Sequence, residues 1–134
     1  MRLAISEIIE ATSGEAIVAP ASADALVVGL TWDSRNVSAG CLYVALPGER
    51  VDGHTFVTGA IETGAACALV TQEPDAAAID AARTAGAAIV LVSDAQQALI
   101  DLARFWRGRL AGRVIGLTGS SGKTTTKNLV RDVL

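Results

Sequence analysis

The chain of 134 residues has few aromatic side chains, few cysteines and no excess of positive charge, and these shortages exclude several classes of protein. The formal net charge is −3 and no basic stripe alternates with aromatic residues, so we do not expect nucleic-acid binding. No apolar run approaches the roughly 18 residues that a membrane-spanning helix needs. The first residues lack the apolar segment of a signal peptide. We therefore expect a cytoplasmic protein with no membrane span.

Three scarce residue types also limit the chemistry. The two cysteines, Cys41 and Cys67, lie in apolar surroundings without metal-ligand spacing, and we interpret them as buried free thiols of a cytosolic protein. His54 is the only histidine, and a lone loop histidine is more often a surface residue than an acid–base catalyst. We interpret the two tryptophans, Trp32 and Trp106, as packing residues.

Apolar residues make up 51% of the chain, mostly as Ala, Val, Leu and Ile, which is typical of an α/β protein. Glycine, aspartate and proline divide the apolar segments into short elements. The pattern predicts strands at about 16–19, 27–32, 41–46, 68–70 and 89–92, and helices at about 6–13, 55–63 and 76–85. A fourth helix follows Ser93 and places Ala95, Leu99, Leu102 and Trp106 on one face. We expect Ser6 to cap the first helix, and Ser93 with Gln96 to form a capping box for the last of these.

The chain starts again after Gly108 and Gly112 with a predicted strand at 114–118, a glycine-rich turn and a helix from Lys123 to the final residue. Strand, glycine-rich turn and helix form the opening unit of a nucleotide-binding domain. One strand and one helix bury too little surface to form a core. We therefore expect a complete small α/β domain at 1–110 and the incomplete start of a second domain at 111–134.

The glycine-rich turn has the composition of a phosphate-binding loop. Gly119 and Gly122 allow backbone N–H groups to converge on an anion, and the following helix directs its positive dipole end to the same place. Lys123, one of only two lysines, supplies a charge for the outer phosphates, and the Thr124 hydroxyl is suited to Mg²⁺. The alternative is a simple Gly/Ser turn, because Leu117 stands where the strict motif has glycine. The candidate ATP-binding residues are Thr118, Gly119, Ser120, Ser121, Gly122, Lys123, Thr124 and Thr125.

A second polar segment follows the predicted strand 27–32. Ligands bind beyond strand ends in open α/β sheets, Ser34 can donate and accept hydrogen bonds, and Arg35 can bind a phosphate with two N–H groups. The alternative is a turn with a surface arginine. A further polar loop follows Leu46, and the position of His54 in it suits contact with a nucleotide.

These residues resemble the Mur ligase family, the ATP-dependent amide-forming enzymes of peptidoglycan precursor synthesis. Residues 118–125 (Thr-Gly-Ser-Ser-Gly-Lys-Thr-Thr) are similar to its phosphate loop, in which the early glycine is normally missing. Residues 33–35 (Asp-Ser-Arg), 40–48 (Gly-Cys-Leu-Tyr-Val-Ala-Leu-Pro-Gly) and 49–54 (Glu-Arg-Val-Asp-Gly-His) are similar to the uridine-nucleotide domain of two members. The Ser-Ser pair at 120–121 is more like the member that adds D-Ala-D-Ala than the one that adds a diamino acid.

The resemblance implies a small mixed-sheet substrate domain followed by the first strand, loop and helix of a P-loop ATPase domain. It implies that UDP-MurNAc-tripeptide, ATP and Mg²⁺ form an acyl phosphate, which D-Ala-D-Ala then attacks, with Lys123 as the catalytic residue and Thr124 as the Mg²⁺ ligand. The implied UDP contacts are Asp33, Ser34, Arg35, Gly48, Arg50, Asp52 and His54. We expect the 134-residue chain alone to lack ligation activity. A diamino-acid-adding ligase and a stand-alone uridine-nucleotide-binding module are the alternatives.

Overall fold

A computed structural model describes residues 1–22, 25–48, 51–112, 116, 118–125 and 127–128. Two short 3₁₀ turns, Ser34–Asn36 and Gly53–Phe56, follow strand ends. The helices and strands in chain order are β1 (Arg2–Ala4), α1 (Ile5–Thr12), β2 (Glu15–Val18), β3 (Leu26–Val28), β4 (Leu30–Thr31), β5 (Leu42–Val44), α2 (Val57–Thr63), β6 (Cys67–Val70), α3 (Ala76–Ala85), β7 (Ala88–Leu91) and α4 (Ala95–Gly108).

The main sheet has five strands in the order β2-β7-β6-β5-β4. Strand β2 runs antiparallel to β7, while β7, β6, β5 and β4 are mutually parallel. Strands β1 and β3 form a separate antiparallel pair. The predicted α/β class with a mixed sheet is therefore confirmed.

Both faces of the sheet are covered, because its central strands are apolar on both sides. On β5, Leu42 and Val44 belong to one core cluster and Tyr43 to the other. The first cluster also holds residues of α1 and α4, and the second holds residues of α2 and α3. Successive strand residues point to opposite faces, so the continuous apolar runs of β5, β6 and β7 supply both clusters.

The single strand predicted at 27–32 is wrong: the segment forms two strands in different sheets. Gly29 separates β3 from β4 and has φ of +86°, a left-handed conformation that glycine adopts without steric cost. Its N–H donates to the Met1 carbonyl at 3.2 Å, while its carbonyl accepts from the Leu42 N–H at 3.2 Å. The chain therefore leaves the β1–β3 pair and enters the main sheet at this residue.

Two predicted helix caps are wrong as well. Helix α1 begins at Ile5, and the Glu7 carboxylate reaches back to accept from the Ala4 N–H at 2.8 Å, so Ser6 lies inside the first turn. Asp94, not Ser93, caps α4, because its carboxylate accepts from the backbone N–H groups of residues 96 and 97. An aspartate one residue nearer the helix has taken the capping position.

Both cysteines are buried free thiols, as predicted. Burial raises the pKa of Cys67 to about 12. Within the described residues, no group of three or more His, Cys, Asp or Glu side chains is placed to hold a metal ion. No helix in the described part of the chain is long and apolar enough to cross a bilayer.

The start of the helix predicted from Lys123 agrees with the structure, since residues 123–125 and 127–128 are helical. Val114, Ile115 and Leu117 of the predicted strand 114–118 lie outside the described residues. The domain boundary after residue 110 stays a prediction.

Candidate functional site

The four parallel strands end at one edge of the main sheet, and a cleft of about 610 Å³ lies beyond the ends of β4 and β5. The loops after these two strands form its walls. Parallel strands of an open sheet present their carboxyl ends together, which is where such folds bind ligands. Of the predicted uridine-nucleotide contacts, Asp33, Ser34, Arg35 and Gly48 line this cleft.

An ion pair forms one wall of the cleft. Arg35 donates from Nε to Asp33 Oδ1 at 2.9 Å and from Nη2 to Asp33 Oδ2 at 2.8 Å. Asp33 also accepts from the Arg35 backbone N–H at 3.0 Å and so caps the 3₁₀ turn. The hydrogen bond from the Arg35 side chain has the largest effect on the pKa of Asp33. Together with the bond from the Arg35 backbone N–H, it lowers this pKa to about 2. The Arg35 side chain is nevertheless 86% exposed, so the pair orients the guanidinium toward solvent without covering it.

Apolar side chains form a further part of the cleft. Trp32, Val51 and Phe56 all line it, and their exposed fractions are 61%, 59% and 40%. The prediction that Trp32 is a packing residue is therefore wrong. Trp32 directly precedes Asp33 in the sequence, and both an exposed apolar ring and an exposed cation line this one cleft.

The floor of the cleft is held by bonds between β5 and the loop that follows it. Tyr43 is fully buried, and its hydroxyl donates to the Gly53 carbonyl at 2.9 Å. Burial, together with the charges of Asp33 and Asp52, raises the pKa of Tyr43, so the phenol stays a protonated donor. The Gly53 N–H donates in turn to the Leu46 carbonyl at 3.0 Å.

Asp52 and His54 do not line this cleft. They border an adjacent cavity of about 240 Å³, together with residues at the ends of β6 and α3. The His54 side chain is only 13% exposed, so the expectation of an ordinary surface histidine is wrong. Arg50, the remaining predicted contact, lies outside the described residues.

The glycine-rich loop has two glycines in backbone conformations that other residues rarely adopt. Gly119 and Gly122 have φ of +147° and +76°. The Lys123 ammonium group donates to the Gly119 carbonyl, so the lysine lies across the loop. Residues 118–125 are all exposed, and the hydroxyl of Thr124 stands in the first turn of the helix. These residues fit a phosphate group with a bound Mg²⁺.

Residues 26–107 match the family described as Mur ligase family, catalytic domain, which is more than half of the chain. The chain belongs to the Mur ligase family. The matched residues include the whole cleft and end before the glycine-rich loop.

Relatives in this family carry two different activities in their names. UDP-N-acetylmuramoyl-tripeptide–D-alanyl-D-alanine ligase of Bacillus subtilis is 36% identical over 134 residues, which is 97% of this chain and 26% of the relative. UDP-N-acetylmuramoyl-L-alanyl-D-glutamate–2,6-diaminopimelate ligase of Chlorobaculum tepidum is 39% identical over 114 residues, which is 84% of this chain and 21% of the relative. This Mur ligase chain therefore spans about a quarter of the length of these relatives.

Solved Mur ligase structures share the fold. A crystal structure of MurF from Acinetobacter baumannii matches 99% of this chain and 27% of its own with a TM-score of 0.80 and 32% identity. MurF ligase from Thermotoga maritima, solved in complex with ADP, matches 77% of this chain and 23% of its own with a TM-score of 0.61 and 34% identity.

Sequence reasoning missed the apolar side and the floor of the Mur ligase cleft. Tyr43 and Val51 were noted only within segments similar to the family, and neither they nor Phe56 were assigned a place in the cleft. The one available signal was spacing, because Trp32 and Val51 directly flank polar segments that had already been chosen as candidate contacts.

Proposed function

We propose that this chain belongs to an ATP-dependent ligase that adds D-Ala-D-Ala to UDP-MurNAc-tripeptide in peptidoglycan precursor synthesis, and that the cleft holds the UDP-MurNAc-peptide. The observation that carries this proposal is the position of four predicted contacts, Asp33, Ser34, Arg35 and Gly48, around one cleft at the carboxyl edge of the sheet. Relatives named for UDP-muramoyl peptides support the same ligand class.

The cleft has the chemistry that a uridine nucleotide needs. Arg35 is held by Asp33 along one edge of its guanidinium, which leaves other N–H groups to donate to the diphosphate. Ser34, which lies between Asp33 and Arg35 in the sequence, is half-buried and can donate or accept a hydrogen bond. Trp32 and Phe56 offer apolar surface to the uracil ring. Asp33 therefore orients the arginine, and the arginine binds the ligand.

The glycine-rich loop supplies one side of the ATP site in this proposal. Its backbone N–H groups and Lys123 bind the phosphates and stabilise the charge that develops on the transferred phosphoryl group. The Thr124 hydroxyl would hold Mg²⁺, which would neutralise phosphate charge. The substrate carboxylate attacks the γ-phosphate to give an acyl phosphate and ADP, and the amine of D-Ala-D-Ala then displaces phosphate. The ADP complex of the Thermotoga maritima relative supports nucleotide binding.

Calorimetry with UDP-MurNAc-tripeptide tests the cleft. Arg35→Ala removes a charge-assisted contact worth about 1.5–3 kcal/mol, so we expect affinity to fall roughly 10- to 100-fold. Arg104→Ala is the matched control, because Arg104 is also an exposed arginine and is paired with a carboxylate, Asp101. Equal affinities of the Arg35 variant and the wild-type chain would contradict the proposed site.

A diamino-acid-adding ligase is the second candidate, and relatives named for that activity reach 39% identity. The two activities differ in the peptide of the UDP substrate, so the same calorimetry with UDP-MurNAc-dipeptide separates them. We expect the tripeptide form to bind more tightly. Tighter binding of the dipeptide form would favour the diamino-acid-adding activity.

We also propose that the 134-residue chain alone does not complete the reaction. Most of the residues that surround ATP in a P-loop domain come from strands and loops beyond the first helix. A phosphate-release assay with ATP, Mg²⁺, UDP-MurNAc-tripeptide and D-Ala-D-Ala checks this expectation. Turnover that depends on the UDP substrate would contradict it.

A further inference from the structure

We propose that His54 is a positioning residue, which fixes one wall of the cleft by fastening the loop residues 51–53 to the end of strand β6. This inference rests on the proposed function for the ligand, but its structural part concerns the protein without ligand. Gly48, Val51 and Gly53 line the cleft, whereas His54 borders the adjacent cavity.

The two ring nitrogens of His54 bind different parts of the chain. Nδ1 lies 2.6 Å from Asp52 Oδ1, within the loop itself. Nε2 accepts from the Thr71 N–H at 3.0 Å, and the Thr71 hydroxyl lies 3.2 Å from the same nitrogen. Thr71 directly follows β6, so the imidazole joins the loop to the neighbouring strand across 17 residues of sequence.

These contacts define the tautomer of the neutral ring. A backbone N–H can only donate, so Nε2 must be unprotonated, and the proton of the neutral imidazole is on Nδ1. That N–H donates to the Asp52 carboxylate. The His54 backbone N–H donates to the same Asp52 oxygen at 3.0 Å, and these two bonds, the backbone one first, lower the pKa of Asp52. Asp52 thus remains a charged acceptor that orients the ring.

The same loop residues are also fastened to β5 and to Leu46 just beyond its end. The Gly53 N–H donates to the Leu46 carbonyl, and the Gly53 carbonyl accepts from the Tyr43 hydroxyl. His54 adds a tie to β6, so the loop is held at two strands. A loop tied to both neighbouring strand ends keeps its cleft-lining residues in place before the ligand arrives, which lowers the ordering cost of binding.

Two substitutions test the roles of the two ring nitrogens separately. In His54→Asn, the side-chain amide nitrogen occupies the place of Nδ1 and can still donate to Asp52, but the shorter side chain does not reach Thr71. In His54→Gln, the longer side chain carries an amide oxygen to the place of Nε2, where it can accept from the Thr71 N–H. If the tie to β6 is what matters, Gln will restore what Asn loses.

Amide hydrogen exchange of the ligand-free chain, followed by NMR, is the first measurement. We expect the Gly53 and Thr71 amides to exchange about tenfold faster in His54→Asn, as for loss of roughly 1.4 kcal/mol of local protection. The same amides should keep near wild-type rates in His54→Gln, while the amides of β7 are unchanged in both variants. Unchanged Gly53 exchange in the Asn variant, or equal acceleration in Asn and Gln, would overturn the positioning role.

The ring state and the ligand affinity give independent checks. Because His54 is the only histidine, its ¹⁵N signals are unambiguous, and we expect the proton on Nδ1 in the neutral ring. A proton on Nε2 would refute the tie to Thr71. We expect UDP-MurNAc-tripeptide to bind about 5- to 10-fold more weakly to His54→Asn than to His54→Gln. If the wild-type chain does not bind this ligand, the proposed function fails, while amide exchange still decides whether His54 holds the loop.

Discussion

Gly53 packs closely against the backbone at the floor of the cleft, and replacing it with alanine should weaken the fold. A Cβ atom at this position would lie 2.7 Å from the Leu46 carbonyl oxygen and 2.8 Å from the Leu46 nitrogen. Both atoms belong to the backbone just beyond the end of β5, so neither can rotate away. The loop must therefore move off the strand to accept the methyl group.

The magnitude follows from what that movement disrupts. It lengthens the bond from the Gly53 N–H to Leu46 and leaves the buried Tyr43 hydroxyl without its acceptor. A lost hydrogen bond costs about 1 kcal/mol and a buried group without a partner costs about 1–3 kcal/mol. We expect Gly53→Ala to lower the free energy of unfolding by about 2–4 kcal/mol.

Gly59→Ala is the matched control because it makes the same chemical change in an open position. Gly59 lies inside α2, and a methyl group added there would meet no atom of the described residues within 4 Å beyond its own helix turn. Alanine stabilises a helix interior by about 0.5–1 kcal/mol relative to glycine, so this variant should be more stable than the wild type.

Urea unfolding followed by circular dichroism measures both variants. Thermal melting should agree, with Tm lowered by roughly 8–16 °C in Gly53→Ala and raised by roughly 2–4 °C in Gly59→Ala. A Gly53 variant within about 1 kcal/mol of the wild type would refute the reasoning, since the Leu46 contact would then be easily relieved. Equal destabilisation by both substitutions would show that the contact with the end of β5 is not the cause.

Three further predictions concern a charge, a cap and a thiol. Because the pKa of Asp33 is about 2 in the folded chain and 3.8 otherwise, its stabilising effect is present above pH 3.8 and disappears as the pH falls to about 2; urea midpoints of the wild type and Asp33→Asn should therefore converge over that range. Asp94→Ala should cost about 1 kcal/mol in urea unfolding and Ser93→Ala close to nothing, because Asp94 alone caps α4; equal costs would contradict this assignment. Cys67 should react with a thiol reagent only as fast as the chain unfolds, since its thiol is buried and its pKa is raised to about 12; rapid labelling of the folded chain would contradict its burial.

Elements with complete local signals were predicted well. Helix α3 has the predicted bounds, because Asp75 accepts from the Ala78 N–H at 2.8 Å at its start and Gly86 ends it with φ of +70°. Both signals lie next to the helix in the sequence. Strands β6 and β7 were each found within one residue of their bounds, because unbroken apolar runs between polar turns mark strands buried on both faces.

Elements that depend on distant partners were predicted poorly. The segment 27–32 looks like one strand, yet the two sides of Gly29 bond to different sheets. Trp32 is a large apolar residue of a kind often found in a core, but it lines the cleft. His54 looked like a surface residue, although its ring is largely buried. The ring accepts a hydrogen bond from Thr71, at a strand end 17 residues further along the chain. Local composition carries no information about such contacts.

The amino-acid sequence by itself determined the α/β class and the resemblance to Mur ligases, and that resemblance predicted seven candidate contacts: Asp33, Ser34, Arg35, Gly48, Arg50, Asp52 and His54. The class follows from residue types and spacings and the resemblance from short motifs, so neighbouring residues are enough to produce both. Only the tertiary structure decided that Asp33, Ser34, Arg35 and Gly48 line one cleft while Asp52 and His54 border another cavity. The reason is that β4, β5 and β6 become neighbours through backbone pairing, so the positions of their loops depend on the order of strands in the sheet.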